Sequence, residues 1–155
     1  LEIYINNIKA RITFKRKQLQ DIEVKFIFME MLSNIKISDI WLLMDKDYEA
    51  DDNAEHLYRY IMQNHPKQKI AFALRKESSD WERLEKEGFN LIEFGSFEFE
   101  RIIKKASKVI SSHCDEYLTK YITNRSQFVF IQHGVILNDL SRWLNFKKIN
   151  LFITS

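Results

Sequence analysis

The chain predicts an α/β domain: a three-layer sandwich built on a mostly parallel six-stranded sheet. Three observations predict it. Short apolar runs of strand character recur from Asp39 onward and alternate with stretches of helical period. Helix-start signals follow these runs closely, with Asp52, Ser79, Ser96 and Ser112 among them. No low-complexity tract or composition shift breaks residues 39–155. Strands and helices alternating at this spacing imply right-handed βαβ crossovers, which make a sheet parallel and cover both its faces.

The elements follow in order. Ile8, Ala10, Ile12 and Phe14 alternate with Lys9, Arg11, Thr13 and Lys15, a half-buried strand, and Asn6-Asn7 suits a turn before it. Residues 1–17 therefore predict a β-hairpin, the tail of a preceding domain. Leu19, Ile22, Phe26 and Met29 then share one helical face, widened by Phe28, Met31 and Leu32. Residues 18–38 predict a connecting amphipathic helix. Core packing is its plain account, and an interfacial membrane helix the sharper one.

The Rossmann-like part spans 39–155. Ile40-Trp41-Leu42-Leu43-Met44 is a continuous apolar run, as for a strand buried on both faces. A helix from about Asp52 to Asn64 presents Ala54, Leu57, Tyr58 and Ile61 inward, and Asp52 with Glu55 resembles a capping box. Lys69 to Leu74 is the second strand. Ser79 with Glu82 caps a helix that stops at Gly88, a residue suited to the position after a helix end. Asn90 to Phe94 is the third strand, and Gly95-Ser96 opens a helix carrying Phe99, Ile102, Ile103 and Ala106. Lys108 to Ser111 is the fourth, and Ser112 with Asp115 starts a helix bearing Tyr117, Leu118 and Tyr121. Phe128 to Gln132 is the fifth, a short helix covers Asp139 to Asn145, and Asn150 to Thr154 is the sixth. The chain opens on Leu1 without Met and closes on a strand signal, which reads as a fragment of a longer protein.

Composition narrows the function. A net charge of +2 is too small to point to nucleic acid. No apolar run approaches the ~20 residues of a membrane span. The single cysteine, Cys114, makes no internal disulfide, which favours a reducing, cytoplasmic setting. No zinc spacing, GxGxxG, Walker A or GxSxG pattern is present, so neither a metal nor a cofactor is expected.

In an open parallel sheet ligands bind beyond the carboxyl ends of the strands. The residues there are Asp45, Asp47, Arg75, Lys76, Gly95, Ser96, Ser111, Ser112, His133, Gly134, Thr154 and Ser155. Several double as helix N-caps, where free N–H groups attract phosphate, so a phosphorylated ligand is expected. For Ser96 and Ser112 simple capping is the plainer account. Asp45-Lys46-Asp47 is similar to aspartate-nucleophile phosphatases, but Tyr48-Glu49-Ala50 does not continue that motif. Cys114 adjoins His113, and sequence neighbours rarely form a nucleophile–base pair. His133 is the candidate general base: it titrates near neutrality, sits at a strand end, and adjoins Gly134. A histidine merely hydrogen-bonded at a strand end is the alternative.

Several segments in this order carry a resemblance. They are Trp41 to Asp47, Ala50-Asp51-Asp52-Asn53-Ala54-Glu55 through Tyr60, Phe94-Gly95-Ser96 and Ile110-Ser111-Ser112. Gln132-His133-Gly134-Val135, Asp139-Leu140-Ser141 and Leu151 to Ser155 complete the set. Residues 39–155 resemble the CDP-glycerol glycerophosphotransferases, the teichoic-acid and capsule polymerases. The resemblance implies half of a GT-B fold, the acceptor side, with the nucleotide-binding half not included. It implies His133 as general base, activating an acceptor hydroxyl that attacks CDP-glycerol and releases CMP. Together with the ligand edge it designates Asp51, Asp52, Asn53, Ser96, Ser112, Gly134, Asn138, Asp139 and Ser155 as substrate-binding. Many members have Asp-Arg after the first strand; here Asp45-Lys46 keeps the positive charge. The implied partners are a CDP-activated donor, held mainly by the other half, and a polyol-phosphate or polysaccharide acceptor. A peripheral contact with the inner face of the cell membrane is a further expectation. The alternatives are a capsule glycosyltransferase using a nucleotide sugar, and a non-catalytic module that binds polymer or membrane.

Overall fold

The computed structural model describes residues 38–132, 134 and 141–154. The hairpin expected over 1–17 lies outside them, as does the expected amphipathic helix up to residue 37. Six strands are present: β1 (Ser38–Met44), β2 (Lys69–Leu74), β3 (Leu91–Glu93), β4 (Ala106–Ser111), β5 (Gln127–Ile131) and β6 (Leu151–Ile153). Between them lie α1 (Asn53–Asn64), α2 (Trp81–Lys86), α3 (Phe97–Ile103), α4 (Glu116–Thr119) and α5 (Ser141–Leu144). The sheet order is β3-β2-β1-β4-β5-β6. Every pair in it is parallel, so the sheet is wholly rather than mostly parallel. This is the Rossmann-like doubly wound order, which reverses between β1 and β4.

Alternation along the strands builds both layers. Leu42, Met44, Ala71, Ala73, Val109, Phe128 and Phe130 face one way. They pack against Phe99 and Ile103 of α3, Leu118 of α4 and, at the margin, Leu144 of α5. Leu43, Phe72, Leu74, Ile110, Val129 and Ile131 face the other, against Ala54, Tyr58 and Ile61 of α1 and Leu84 of α2. Central strands buried on both faces must be apolar throughout, which is why β1 reads as an unbroken run. Tyr58 is fully buried and stacks on Phe89 at 4.2 Å. Its hydroxyl accepts from the Asn90 N–H at 2.9 Å, so the ring is buried without an unsatisfied polar end. The outer strand β6 is more open: Leu151, Phe152 and Ile153 are all exposed, although Phe152 stacks on Phe130 at 5.0 Å.

Three local expectations shift. Ala106 belongs to β4, not to the helix before it. Helix α2 starts after Asp80 rather than at Ser79, because Ser78 Oγ accepts from the Asp80 N–H and closes a turn first. Helix α4 starts after Asp115, whose side chain makes no capping bond, and Ser112 is occupied elsewhere. Among the described residues no helix is long and apolar enough to cross a membrane.

Gly88 ends α2 as expected. The Phe89 N–H reaches Leu84 O at 3.1 Å and the Gly88 N–H reaches Glu85 O at 3.0 Å, with Gly88 at φ +84°. A Cβ there would meet only Met62 Cε at 3.9 Å, so a side chain is opposed by backbone conformation and not by crowding. Gly88→Ala should therefore lower the unfolding free energy by about 1 kcal/mol, read as a shifted urea midpoint at unchanged slope.

Candidate functional site

The carboxyl edge is organised around Asp45, the residue that follows β1. It is buried at 1% exposure. Its Oδ1 accepts from the Ala54 N–H at 2.9 Å and the Ser112 hydroxyl at 2.7 Å. Its Oδ2 accepts from the Glu55 N–H at 3.1 Å and the Asp52 N–H at 3.2 Å. Three donors come from the start of α1, where orphan N–H groups and the helix dipole favour a negative charge. Burial pushes the Asp45 carboxyl up, the four donors pull it back, and the balance stays above the ordinary value. These N–H groups at the start of α1 are thus taken from within by a carboxylate.

A second carboxylate braces the same turn. Glu55 is fully buried. Arg83 grips it with two nitrogens at 2.7 and 3.0 Å, Arg59 reaches Oε1 at 2.5 Å, and the Asp51 N–H donates to Oε2 at 2.5 Å. Burial alone would raise this carboxyl, but the Arg83, Asp51 and Arg59 contacts together outweigh it and hold it below the ordinary value. The expected capping box is therefore displaced by one residue. Glu55 reaches back to Asp51, which adopts φ +73°, because the Asp52 N–H is taken by Asp45. Beside it, Arg75 Nε holds Asp47 at 2.6 Å and Lys46 pairs with Glu49 at 2.6 Å.

The expected substrate-binding residues divide accordingly. Asp52 is the N-cap of α1, its Oδ1 accepting from the Asn53 N–H at 2.7 Å. Asn53 Nδ2 crosses to Gln132 O at 2.6 Å and ties the start of α1 to the end of β5. Ser96 caps α3 by accepting from the Phe99 N–H at 3.1 Å. Ser112 is buried against Asp45. Gly134 takes φ +66°, and its carbonyl accepts from Gln132 Nε2 at 3.2 Å. His133, Asn138, Asp139 and Ser155 lie outside the described residues.

Sequence reasoning set His113 aside, and the structure brings it into the site. Its Nδ1 lies 3.0 Å from Ser112 Oγ and its N–H donates to Ser111 Oγ at 3.0 Å. His113 lines a cavity of about 120 Å³ with Asp45, Lys46, Glu49, Asp51 and Asp52. The signal was present in Ser111-Ser112-His113, which follows β4 at the strand-order reversal. Cys114 is buried in the core, and burial pushes its thiol up to about 11. A larger cavity of about 690 Å³, bordered by Asp39, Trp41, Leu57, Ile61 and Pro66, lies at the opposite, amino end of β1. Its polar lining is Asp39, Tyr60, Asn64, His65, Lys67 and Gln68.

Comparison with known proteins adds a family. The model of the CDP-glycerol:poly(glycerophosphate) glycerophosphotransferases matches residues 25–145. The minor teichoic acid biosynthesis protein GgaB of Bacillus subtilis (strain 168) is 36% identical over 127 residues, 75% of this chain and 14% of GgaB. Among solved structures, the wall teichoic acid polymerase TagF aligns over 79% of this chain and 34% of its own, with TM-score 0.53 and 15% identity. At that identity the likeness speaks for the fold, and it agrees with the doubly wound sheet. The chain thus spans well under half the length of both.

The Glu55 cluster sets a pH dependence. With its folded pKa depressed, Glu55 contributes stability that is complete above its ordinary value of 4.5 and is lost as pH falls through the folded value. Asp45, raised, has the opposite sign, and protonation relieves its burial. Glu55→Gln should therefore flatten the acid limb of the stability curve. At pH 7 it should cost about 2 kcal/mol by urea unfolding, a value for hydrogen bonds to a charged group. The cost is not larger because Arg59 and Arg83 are 30% and 38% exposed and partly screened.

Proposed function

The chain belongs to the CDP-glycerol:poly(glycerophosphate) glycerophosphotransferase family. From that membership we propose that it is the acceptor-side half of an enzyme that extends a cell-wall polymer by polyol-phosphate transfer. In the proposed reaction His133 takes the proton of the acceptor's terminal hydroxyl. The alkoxide oxygen bonds to the β-phosphorus of CDP-glycerol, the bond from that phosphorus to the bridging oxygen breaks, and CMP leaves with the electron pair. Holding nucleophile and phosphorus together supplies much of such a rate, because phosphoryl transfer asks chiefly for positioning and charge stabilisation. The donor's nucleotide is assigned to a second domain, and the place of action to the cytoplasmic face of the cell membrane.

One observation carries this reading. The bond from Asn53 Nδ2 to Gln132 O joins two segments that carry the resemblance, Ala50 to Glu55 and the one that opens at Gln132, although 79 residues separate the bonded pair. It does so at the carboxyl edge, where the doubly wound sheet binds ligands.

The full-length protein, given CDP-glycerol and a glycerol phosphate oligomer, should release CMP. His133→Ala should lower kcat by about 10²- to 10⁴-fold, the usual value of a general base. Wild-type turnover in that variant would reject the base assignment. Parallel assays with CDP-ribitol and nucleotide sugars identify the donor, and turnover with a nucleotide sugar alone would favour the glycosyltransferase alternative.

A further inference from the structure

Three strand ends meet at Arg75. The residue stands directly after β2, and its N–H donates to the Asp47 carbonyl, in the turn after β1, at 2.6 Å. Its Nε donates to Asp47 Oδ2 at 2.6 Å, on a side chain only 10% exposed. Its guanidinium lies over the ring of Phe94, the residue after β3, at 5.6 Å. Ion pair and ring together hold the side chain in one arrangement. Yet only one of its five N–H donors is used. Among the described residues nothing accepts from Nη1 or Nη2, and Glu77 and Glu93, the exposed carboxylates of the same strand ends, make no bond to them. Other arginines of this fold brace their carboxylates differently. Arg59 meets Glu87 through Nε and Nη2 together, and Arg83 grips Glu55 with both terminal nitrogens. Arg75 is fixed through the side of its guanidinium and keeps the terminal fork, on a side chain 51% exposed, at the ligand edge of the sheet.

From this we infer that Arg75 binds a phosphodiester of the acceptor polymer, its two terminal nitrogens donating to two phosphate oxygens. A planar fork matches phosphate in that way, and a side chain already held in place loses little freedom on binding. Lys76, next in the chain and exposed, adds a second positive charge. Position selects which phosphate is met. β2 and β5 are three steps apart in the sheet order, about 14 Å at ~4.8 Å per strand. In the proposed reaction the donor's phosphorus meets the acceptor hydroxyl at His133, beyond β5. The donor's phosphates then lie across the sheet from Arg75, and the phosphate within its reach belongs further back along the acceptor. The choice of acceptor over donor rests on the transferase reading; the phosphate contact itself does not.

The test uses the full-length protein and a glycerol phosphate trimer with a free terminal diol, labelled at its other end. A second trimer of the same length carries neutral methylphosphonates in place of its phosphodiesters. Binding is read by fluorescence anisotropy, and KM by CMP release. Arg75→Gln should weaken binding of the charged trimer and raise its KM about tenfold, the equivalent of one hydrogen bond to a charged group. The KM for CDP-glycerol should stay within about twofold. The neutral trimer should bind the wild type more weakly and be indifferent to Arg75→Gln, a coupling that a purely structural brace does not produce. Arg75→Lys keeps the charge without the fork and should recover only part of the affinity. Because Arg75→Gln leaves Asp47 without its partner, the double variant Asp47→Asn/Arg75→Gln supplies a neutral pair and should show the same loss. Wild-type affinity for the charged trimer in Arg75→Gln would show that the side chain only braces Asp47 and would overturn the inference. So would equal losses for the two trimers, full recovery in Arg75→Lys, or wild-type affinity in the double variant. A raised KM for CDP-glycerol in place of the trimer's, or no trimer binding by the wild type, would overturn it too. If trimer binding depends on Arg75 but no donor yields CMP, the transferase assignment fails and the contact stands. If CMP is released and Arg75→Gln matches the wild type, the reverse holds.

Discussion

A carboxylate in the interior must find donors, and Asp45 finds four. Most of the carboxyl edge follows from that requirement. Asp45 lies directly after β1, the strand at the centre of the sheet order, and meets the N-terminus of α1 with three backbone amides. The helix dipole and the buried charge satisfy each other, which fixes where α1 starts. The fourth donor, Ser112, comes from the end of β4, so one side chain joins the two strands between which the order reverses. A ligand arriving at this edge meets a helix N-terminus that is already neutralised. Around it stand His113, Asp51 and Asp52, which line the cavity beside Asp45.

The architecture was legible because it rests on local signals. Apolar runs and helical periods each lie within a few residues, and all six strands appear where those patterns place them. Gly88 was readable for the same reason, since a left-handed residue after a helix is a local event. The polar contacts were less legible because their partners are distant. Nothing near Asp45 announces Ser112, 67 residues on, and nothing near Glu55 announces Arg83, 28 residues on. The Asp52–Glu55 spacing was a sound capping signal, but a buried carboxylate elsewhere competed for the same N–H and moved the contact by one residue.

His113 shows the same limit. Beside Cys114 it looked like a chance neighbour, and only the fold separates the two: Cys114 goes into the core and His113 to the cavity. Ser112, expected either to cap a helix or to touch substrate, does not cap the helix that follows it. Its hydroxyl donates to Asp45 and lies 3.0 Å from His113 Nδ1. A hydroxyl can do both because it has one proton to give and two lone pairs to receive with.

The central position of β1 has a consequence in time. Its neighbours are β2 and β4, and the second is made long after the first. During synthesis β1 can pair on one side once β2 has emerged, but its other edge waits for Ala106–Ser111. The 67 residues from Asp45 to Ser112 take roughly 3–13 s to translate at ~5–20 residues per second. Over that interval Asp45 has only its helix amides, 7 to 10 residues away, and β1 shows an unpaired apolar edge. The nascent chain is then most exposed to misassembly, and the arrival of Ser112 ends that exposure while supplying the fourth donor to Asp45.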